Sequence, residues 1–221
     1  MLSHLIAVVL TLGLMACGQK HPKQALSSSP ASLSLPVQDT VGMKKAYFAS
    51  GCFWCVEAVF ESVIGVGEVV SGYAGGKAED ATYEKVSSGG TGHAETVCVY
   101  YNPGLIKYET LLTVFFDSHD PTTLNRQGPD SGTQYRSAVF YTSENEKKLA
   151  ESTIKTINDS NIYSKPVVTA LEPFSGFYPA EDYHQNYERL NPDQGYVRAV
   201  SIPRLKRFQS KHPELLKQQK K

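Results

Sequence analysis

The spacing of apolar and polar positions from Lys45 onward changes period repeatedly, and each change marks an element. Lys45-Ala46-Tyr47-Phe48-Ala49 reads as a short strand, and from Cys52 the spacing turns helical, with Phe53, Val56, Val59, Phe60 and Val63 on one stripe. Residues 66–72 predict a second strand after Gly65, and Tyr73-Ala74-Gly75-Gly76-Lys77 a loop by its glycines. A short segment holding Tyr83 and Val86 precedes the flexible stretch Ser87-Ser88-Gly89-Gly90-Thr91-Gly92. Residues 93–101 alternate as a strand that stops at Asn102-Pro103-Gly104. Tyr108, Leu111, Leu112, Phe115 and Phe116 mark a helix ending near Asp120-Pro121. Residues 122–135 are polar and glycine-bearing and read as a long functional loop. A strand follows over 136–142, then a helix to about 158, capped by Ser143 with Glu146 in the capping-box position. A last strand over 167–171 and a short helix over 180–190 complete the pattern. No Gly-x-Gly-x-x-Gly phosphate loop and no repeat interrupts the alternation. The expected fold is α+β: a two-layer α/β sandwich with a mixed, mainly antiparallel sheet, a ferredoxin-like core with extra elements.

The N-terminal region has a different character. Residues 5–16 are an apolar run, too short for a stable bilayer span and suited to the core of an export signal. Leu14-Met15-Ala16-Cys17 resembles the lipobox of bacterial lipoproteins, which implies cleavage before Cys17 and lipidation of its sulfur. Met15 is bulky for its place in that motif and residues 1–4 lack Lys and Arg, so a plain secretory signal is the alternative. Residues 18–42 hold Ser27-Ser28-Ser29-Pro30-Ala31-Ser32 between Pro22 and Pro36, too little apolar surface to offset chain entropy. The expected organisation is a signal peptide over 1–16, a lipid-anchored flexible tether over 17–42, one globular domain over 43–200 and a basic tail over 201–221. The domain is expected outside the cytoplasm, as a periplasm-facing envelope lipoprotein or, with a plain signal, as a soluble exported protein.

Composition is that of an ordinary globular protein, with 41% hydrophobic and 20% charged residues among 221. The formal net charge is zero, which argues against a nucleic-acid partner. Charge is uneven, however: residues 196–221 carry eight Lys or Arg against one acid, Glu214. Such a run reads first as a solvated tail. Nothing in the pattern calls for an obligate oligomer, and a monomer is expected.

The chemistry is concentrated in Gly51-Cys52-Phe53-Trp54-Cys55-Val56-Glu57, where two thiols lie three residues apart at a strand-to-helix junction. A cysteine in the first helical turn faces unpaired N–H groups and the positive end of the helix dipole, which favours its thiolate, the nucleophilic form. Cys55, one turn on, shares its helix face and can reach it for a disulfide. A Cys-x-x-Cys pair also serves thioredoxin-class oxidoreductases and, with a histidine such as His93 or His184, metal sites. No ligand spacing joins these histidines, so no metal is expected.

Five blocks in order, Gly51-Cys52-Phe53-Trp54, Gly72-Tyr73-Ala74-Gly75-Gly76, Thr91-Gly92-His93-Ala94-Glu95, Gly132-Thr133-Gln134-Tyr135-Arg136-Ser137 and Ala180-Glu181-Asp182-Tyr183-His184-Gln185, resemble the A-type peptide methionine sulfoxide reductases. The resemblance covers about residues 43–200. It implies Cys52 as nucleophile, Phe53 and Trp54 as walls around the substrate methyl group, and Tyr83 and Tyr135 as donors to the sulfoxide oxygen. It further implies Glu95 as the acid that protonates that oxygen, Asp130 near the substrate backbone, and selectivity for the S epimer. No bound cofactor is implied. An external thiol reductant of the thioredoxin kind is. Many relatives recycle through cysteines in a C-terminal tail, whereas everything from Gly195 onward here lacks cysteine. Resolution therefore falls to Cys55, to Cys98 or to an external thiol. Cys55 is preferred, since Cys98 has strand parity opposite to Glu95 and is expected to face away from the pocket.

Overall fold

A computed structural model describes residues 42–218, and the signal, Cys17 and tether expectations lie outside that range. In β1 (Lys44–Ser50) alternation puts Ala46 and Phe48 on one face and Tyr47 and Ala49 on the other, and both faces are buried. The chain continues through α1 (Phe53–Glu61), β2 (Val66–Ala74), α2 (Tyr83–Ser87), β3 (Ala94–Tyr101) and α3 (Tyr108–Asp117). A small ribbon, β4 (Arg126–Gln127) and β5 (Asp130–Ser131), precedes β6 (Ser137–Tyr141) and α4 (Glu144–Ser160). Then come β7 (Ala170–Pro173), β8 (Phe177–Pro179), α5 (Tyr187–Leu190) and α6 (Ile202–Lys211). The large sheet runs β7-β6-β1-β3-β2-β8, and only β6 and β7 pair in parallel. Its four inner strands, with α1 and α3 as crossovers, form the expected ferredoxin-like core, extended at each edge.

One sheet face packs under α1 and α3, with Phe48 stacked between Phe60 and Phe115 at 5.1 and 5.2 Å. Tyr47, Ala74, Ala94, Cys98 and Phe140 make a second cluster on the other face, closed by Phe174 and Phe177. Tyr47 stacks on Phe174 at 4.1 Å. This two-sided burial explains why a polar residue on these strands is not automatically at the surface. Ser143 caps α4 as expected: its Oγ accepts from Glu146 N at 3.2 Å, and the Glu146 carboxylate accepts from Thr142 N at 2.6 Å. Such a cap contributes about 1 kcal/mol.

Four expectations are corrected. The loop over 122–135 contains the β4–β5 ribbon and a 3₁₀ turn at Thr133–Tyr135. The helix over 180–190 is two pieces, a 3₁₀ turn at Asp182–His184 and α5, separated by Asn186 at φ 54°. A tertiary contact holds that break, because Asn186 N donates to the buried Glu57 carboxyl at 2.8 Å. The basic segment is not a solvated tail. It forms α6, packed against α1, and buries Arg204 and Phe208 while Lys206, Arg207 and Lys211 face solvent. The last strand also starts three residues later than expected, at Ala170.

Candidate active site

The junction between β1 and α1 turns at Gly51, where φ is 88°. A Cβ there would lie 2.6 Å from Gln127 Cβ, so glycine serves both the left-handed conformation and the close approach of the β4–β5 ribbon. Cys52 is the N-cap of α1, and the next backbone N–H, that of Phe53, donates to Glu95 Oε2 at 3.0 Å. The helix N-terminus thus brings Cys52 and the Glu95 carboxyl together.

Cys52, Phe53, Trp54, Tyr83, Glu95, Asp130, Tyr135 and Tyr196 line one cavity of about 190 Å³. Seven of these were named from the sequence. They come from α1, the start of α2, β3, β5 and the 3₁₀ turn before β6, elements up to 83 residues apart in the chain between Cys52 and Tyr135. Glu95 sits at the start of β3 beside Tyr73 of β2, on the helix-covered face. It is 2% exposed, and burial pushes its carboxyl up to about 8 against the opposing hydrogen bond from Phe53. At neutral pH it is a carboxylic acid with a proton to give. Burial first, and the Glu95 carboxyl second, raise both Tyr83 and Tyr135 above the ordinary phenol range, so both remain hydrogen-bond donors. Asp130 accepts from Tyr196 Oη at 2.5 Å, and burial raises its carboxyl as well.

A second set of contacts orients this lining. Trp54 Nε1 donates to His184 Nδ1 at 3.1 Å, and its ring stacks on Tyr187 at 3.8 Å. Phe53 packs between Tyr73 and His184. Glu181 accepts from Tyr73 Oη and from Tyr83 N, both at 2.9 Å, which ties β2 to the start of α2. His93 likewise has a structural role, with Gly76 N donating to Nδ1 at 3.2 Å. Among the described residues no group of three or more His, Cys, Asp and Glu is arranged to hold a metal ion. Tyr196, Glu181 and Arg204 were not singled out from the sequence. No spacing rule links them to Cys52, and only their chain segments, the fifth block and the basic run, were noticed.

Cys52 and Cys55 are both free, buried thiols. The expectation that helix position alone ionises Cys52 needs correction. A backbone N–H, that of Trp54, does lower it, but burial and then hydrogen bonding to Cys55 raise it well above the usual thiol value. Cys55 is instead lowered to about 7, by its hydrogen bond with Cys52 and then, against burial, by the charge of Arg204. The two thiols therefore titrate as one dyad rather than singly. Cys55 Sγ also lies 3.9 Å from Tyr196 Oη, behind the cavity wall. Cys98 is in the cluster on the opposite sheet face, where burial raises it to about 11.

A larger depression, about 410 Å³, lies on the other flank of α1 between Glu57, Glu61, Glu188, Arg189 and Leu205. It shares only Trp54 with the smaller cavity and contains no thiol. Volume notwithstanding, Cys52 and Glu95 meet in the smaller one.

Residues 44–216 match the family model described as peptide methionine sulfoxide reductase, so the family's domain runs beyond residue 200 and takes in α6. A peptide methionine sulfoxide reductase MsrA from Acinetobacter baumannii (strain SDF) is 51% identical over 177 residues, 80% of this chain and 100% of that protein. Its counterpart from Picrophilus torridus is 50% identical over 165 residues, 75% of this chain and 93% of that protein. Among solved structures, Mxr1 from Saccharomyces cerevisiae in reduced form aligns with TM-score 0.63 at 36% identity, covering 71% of this chain and 90% of that one. Methionine sulfoxide reductase A of Corynebacterium diphtheriae gives TM-score 0.60 at 30% identity, covering 74% and 81%. Family model, relatives, fold and cavity agree, and this chain belongs to the A-type peptide methionine sulfoxide reductases, oxidoreductases that return methionine sulfoxide to methionine.

Proposed function

We propose that the reaction runs through a thiol, sulfenic acid and disulfide cycle on Cys52 and Cys55. The observation that carries this reading is a carboxyl group held neutral by burial in the same cavity as the nucleophilic sulfur. A sulfoxide sulfur is electrophilic, but oxide is a very poor leaving group, so thiolate attack needs an acid at the oxygen. Cys52 passes its proton to Cys55 within the dyad and attacks the sulfoxide sulfur. Glu95 protonates the oxygen, and the Tyr83 and Tyr135 hydroxyls stabilise the developing S–OH. Phe53 and Trp54 wall the methyl group, while Asp130 meets the substrate backbone. Methionine leaves, and Cys52 remains as sulfenic acid, the first rung of cysteine oxidation. Cys55 then closes the disulfide and water departs. The S epimer is the substrate, in proteins and as the free amino acid.

An external dithiol reductant of the thioredoxin kind reopens the disulfide. Cys55→Ser is expected to retain one turnover per enzyme with the S epimer and none with the R epimer. Its steady-state rate with a thioredoxin-type donor should fall at least ~10-fold. Full multiple turnover in this variant would remove Cys55 from the cycle. The apolar run and the Leu14-Met15-Ala16-Cys17 motif support a further reading, that the domain is tethered by a lipid on Cys17 and repairs oxidised exported proteins. Cys17→Ser should then move the protein from the membrane fraction to a soluble one, and unchanged partition would refute the anchor.

A further inference from the structure

Arg204 is 4% exposed, on a helix that composition suggested was solvated. Its Nε donates to Ser118 O at 2.7 Å, Nη1 to Ser50 O at 2.8 Å and Nη2 to Ser50 Oγ at 2.9 Å. Among the described residues no carboxylate oxygen lies within 4.0 Å of it. A buried guanidinium without an acidic partner is costly and calls for a reason. Its surroundings supply one. A Cβ on Gly51 would sit 3.8 Å from Nη1, so the cation lies directly beneath the turn that carries Cys52. The favourable charges acting on it come, in order, from Cys55, Cys52 and Tyr196.

We propose that Arg204 is the fixed counter-charge of the Cys52–Cys55 dyad, a positioning residue that keeps Cys55 available as the resolving thiolate. This rests on the assignment of Cys55 to resolution made above. The step it serves is balanced. Cys55 thiolate attacks the sulfur of Cys52 sulfenic acid, the S–S bond forms and the S–O bond breaks. Glu95, a carboxylate after the first step, takes the proton that Cys55 received from Cys52, which leaves Cys55 as the thiolate. The oxygen departs as water after taking that proton from Glu95. Cys55 sulfur is oxidised and Cys52 sulfur reduced. Without a buried cation, the thiolate would stand near the Glu95 carboxyl in a poorly solvated site, favoured only by its hydrogen bonds with Cys52, Ser201 and Tyr196. The other titratable groups around the guanidinium are His119, held neutral at about 3 by burial, and Arg207, which only adds positive charge. Glu188 feels the cation from α5 but is raised by burial and engaged by Ser201 Oγ.

The test is single-turnover disulfide formation against pH. Reduced enzyme is mixed with excess methionine S-sulfoxide and no reductant, and methionine formed and thiols lost are counted at each time. Arg204→Lys keeps the charge, whereas Arg204→Gln keeps amide donors for Ser50 but removes it. With Arg204→Gln the pH midpoint of thiol loss should rise by at least about one unit, slowing disulfide formation roughly tenfold at neutral pH. Arg204→Lys should leave the midpoint near that of the wild type, and so should Ser50→Ala, which deletes one acceptor and leaves the cation. A uniform slowing at every pH in Arg204→Gln, with the midpoint unmoved, would overturn the proposal in favour of a purely structural clamp. An equal shift in Arg204→Lys would overturn it too. Cys55→Ser in the same assay separates the two readings. If it still loses two thiols per turnover, the assignment of Cys55 fails. If it stops at the sulfenic acid while Arg204→Gln behaves as wild type, only the role of Arg204 falls.

Discussion

Cys52→Ser is expected to abolish sulfoxide reduction, with a loss of roughly 10⁴–10⁶-fold, the range seen when a catalytic nucleophile is deleted. Even the lower figure corresponds to about 5.5 kcal/mol of barrier, which no other group in the cavity can replace. Serine is nearly isosteric and can still cap α1, so the fold should survive. Its hydroxyl, however, ionises far less readily than a thiol and cannot pass through a sulfenic acid or a disulfide. Cys55 is a poor substitute because it lies outside the cavity lining, at the Tyr196 side of the wall. Methionine production from the S-sulfoxide, measured beside a thermal melt, checks this. More than one per cent residual activity in a folded Cys52→Ser protein would mean that another sulfur attacks.

Glu95→Gln is expected to cost roughly 10²–10⁴-fold in the first turnover, the usual worth of a positioned acid. Glutamine keeps an oxygen to accept from Phe53 N, so the junction at α1 should hold. What it lacks is the proton. The pH dependence gives the sharper reading. Because the folded carboxyl titrates near 8 rather than at its ordinary 4.5, its acid form is present below about 8 and lost as pH rises through that value. The wild-type rate of methionine formation should therefore fall above about 8. It should also fall below about 7, where the dyad takes up its second proton, giving a bell whose limbs are macroscopic values. In Glu95→Gln the descending limb should disappear while the ascending limb stays. Persistence of the same descending limb in the variant would assign it to another group.

The local turn signals were legible wherever side chain and backbone act together within a few residues. Ser143 with Glu146 marked the start of α4, Gly51 the junction after β1, and Asn102-Pro103-Gly104 the end of β3. The failures occurred where a distant contact decides. The helix expected over 180–190 is broken because Glu57, on α1, captures the backbone N–H of Asn186. The strand expected from residue 167 waits until Ala170, where parallel pairing with Ala138 of β6 begins. Lys206, Arg207 and Lys211 made α6 look like tail, although Val197, Ser201, Arg204 and Phe208 form a buried stripe at helical spacing on the same segment.

The candidate site divides in the same way. Chemical identity resides in short motifs, so a cysteine at a strand-to-helix junction and the five ordered blocks suffice to name the family and to propose a nucleophile, an acid and their tyrosine partners. Protonation state does not reside there. Helix position by itself favours a thiolate at Cys52, and a basic run by itself favours a solvated Arg204. The folded chain reverses both by burial, and burial likewise gives Glu95 the raised carboxyl that an acid role requires. The sequence alone determined which groups are present and the order of the elements that carry them. Only the tertiary structure decided which of those groups hold a proton, since that depends on water excluded by residues remote in the chain.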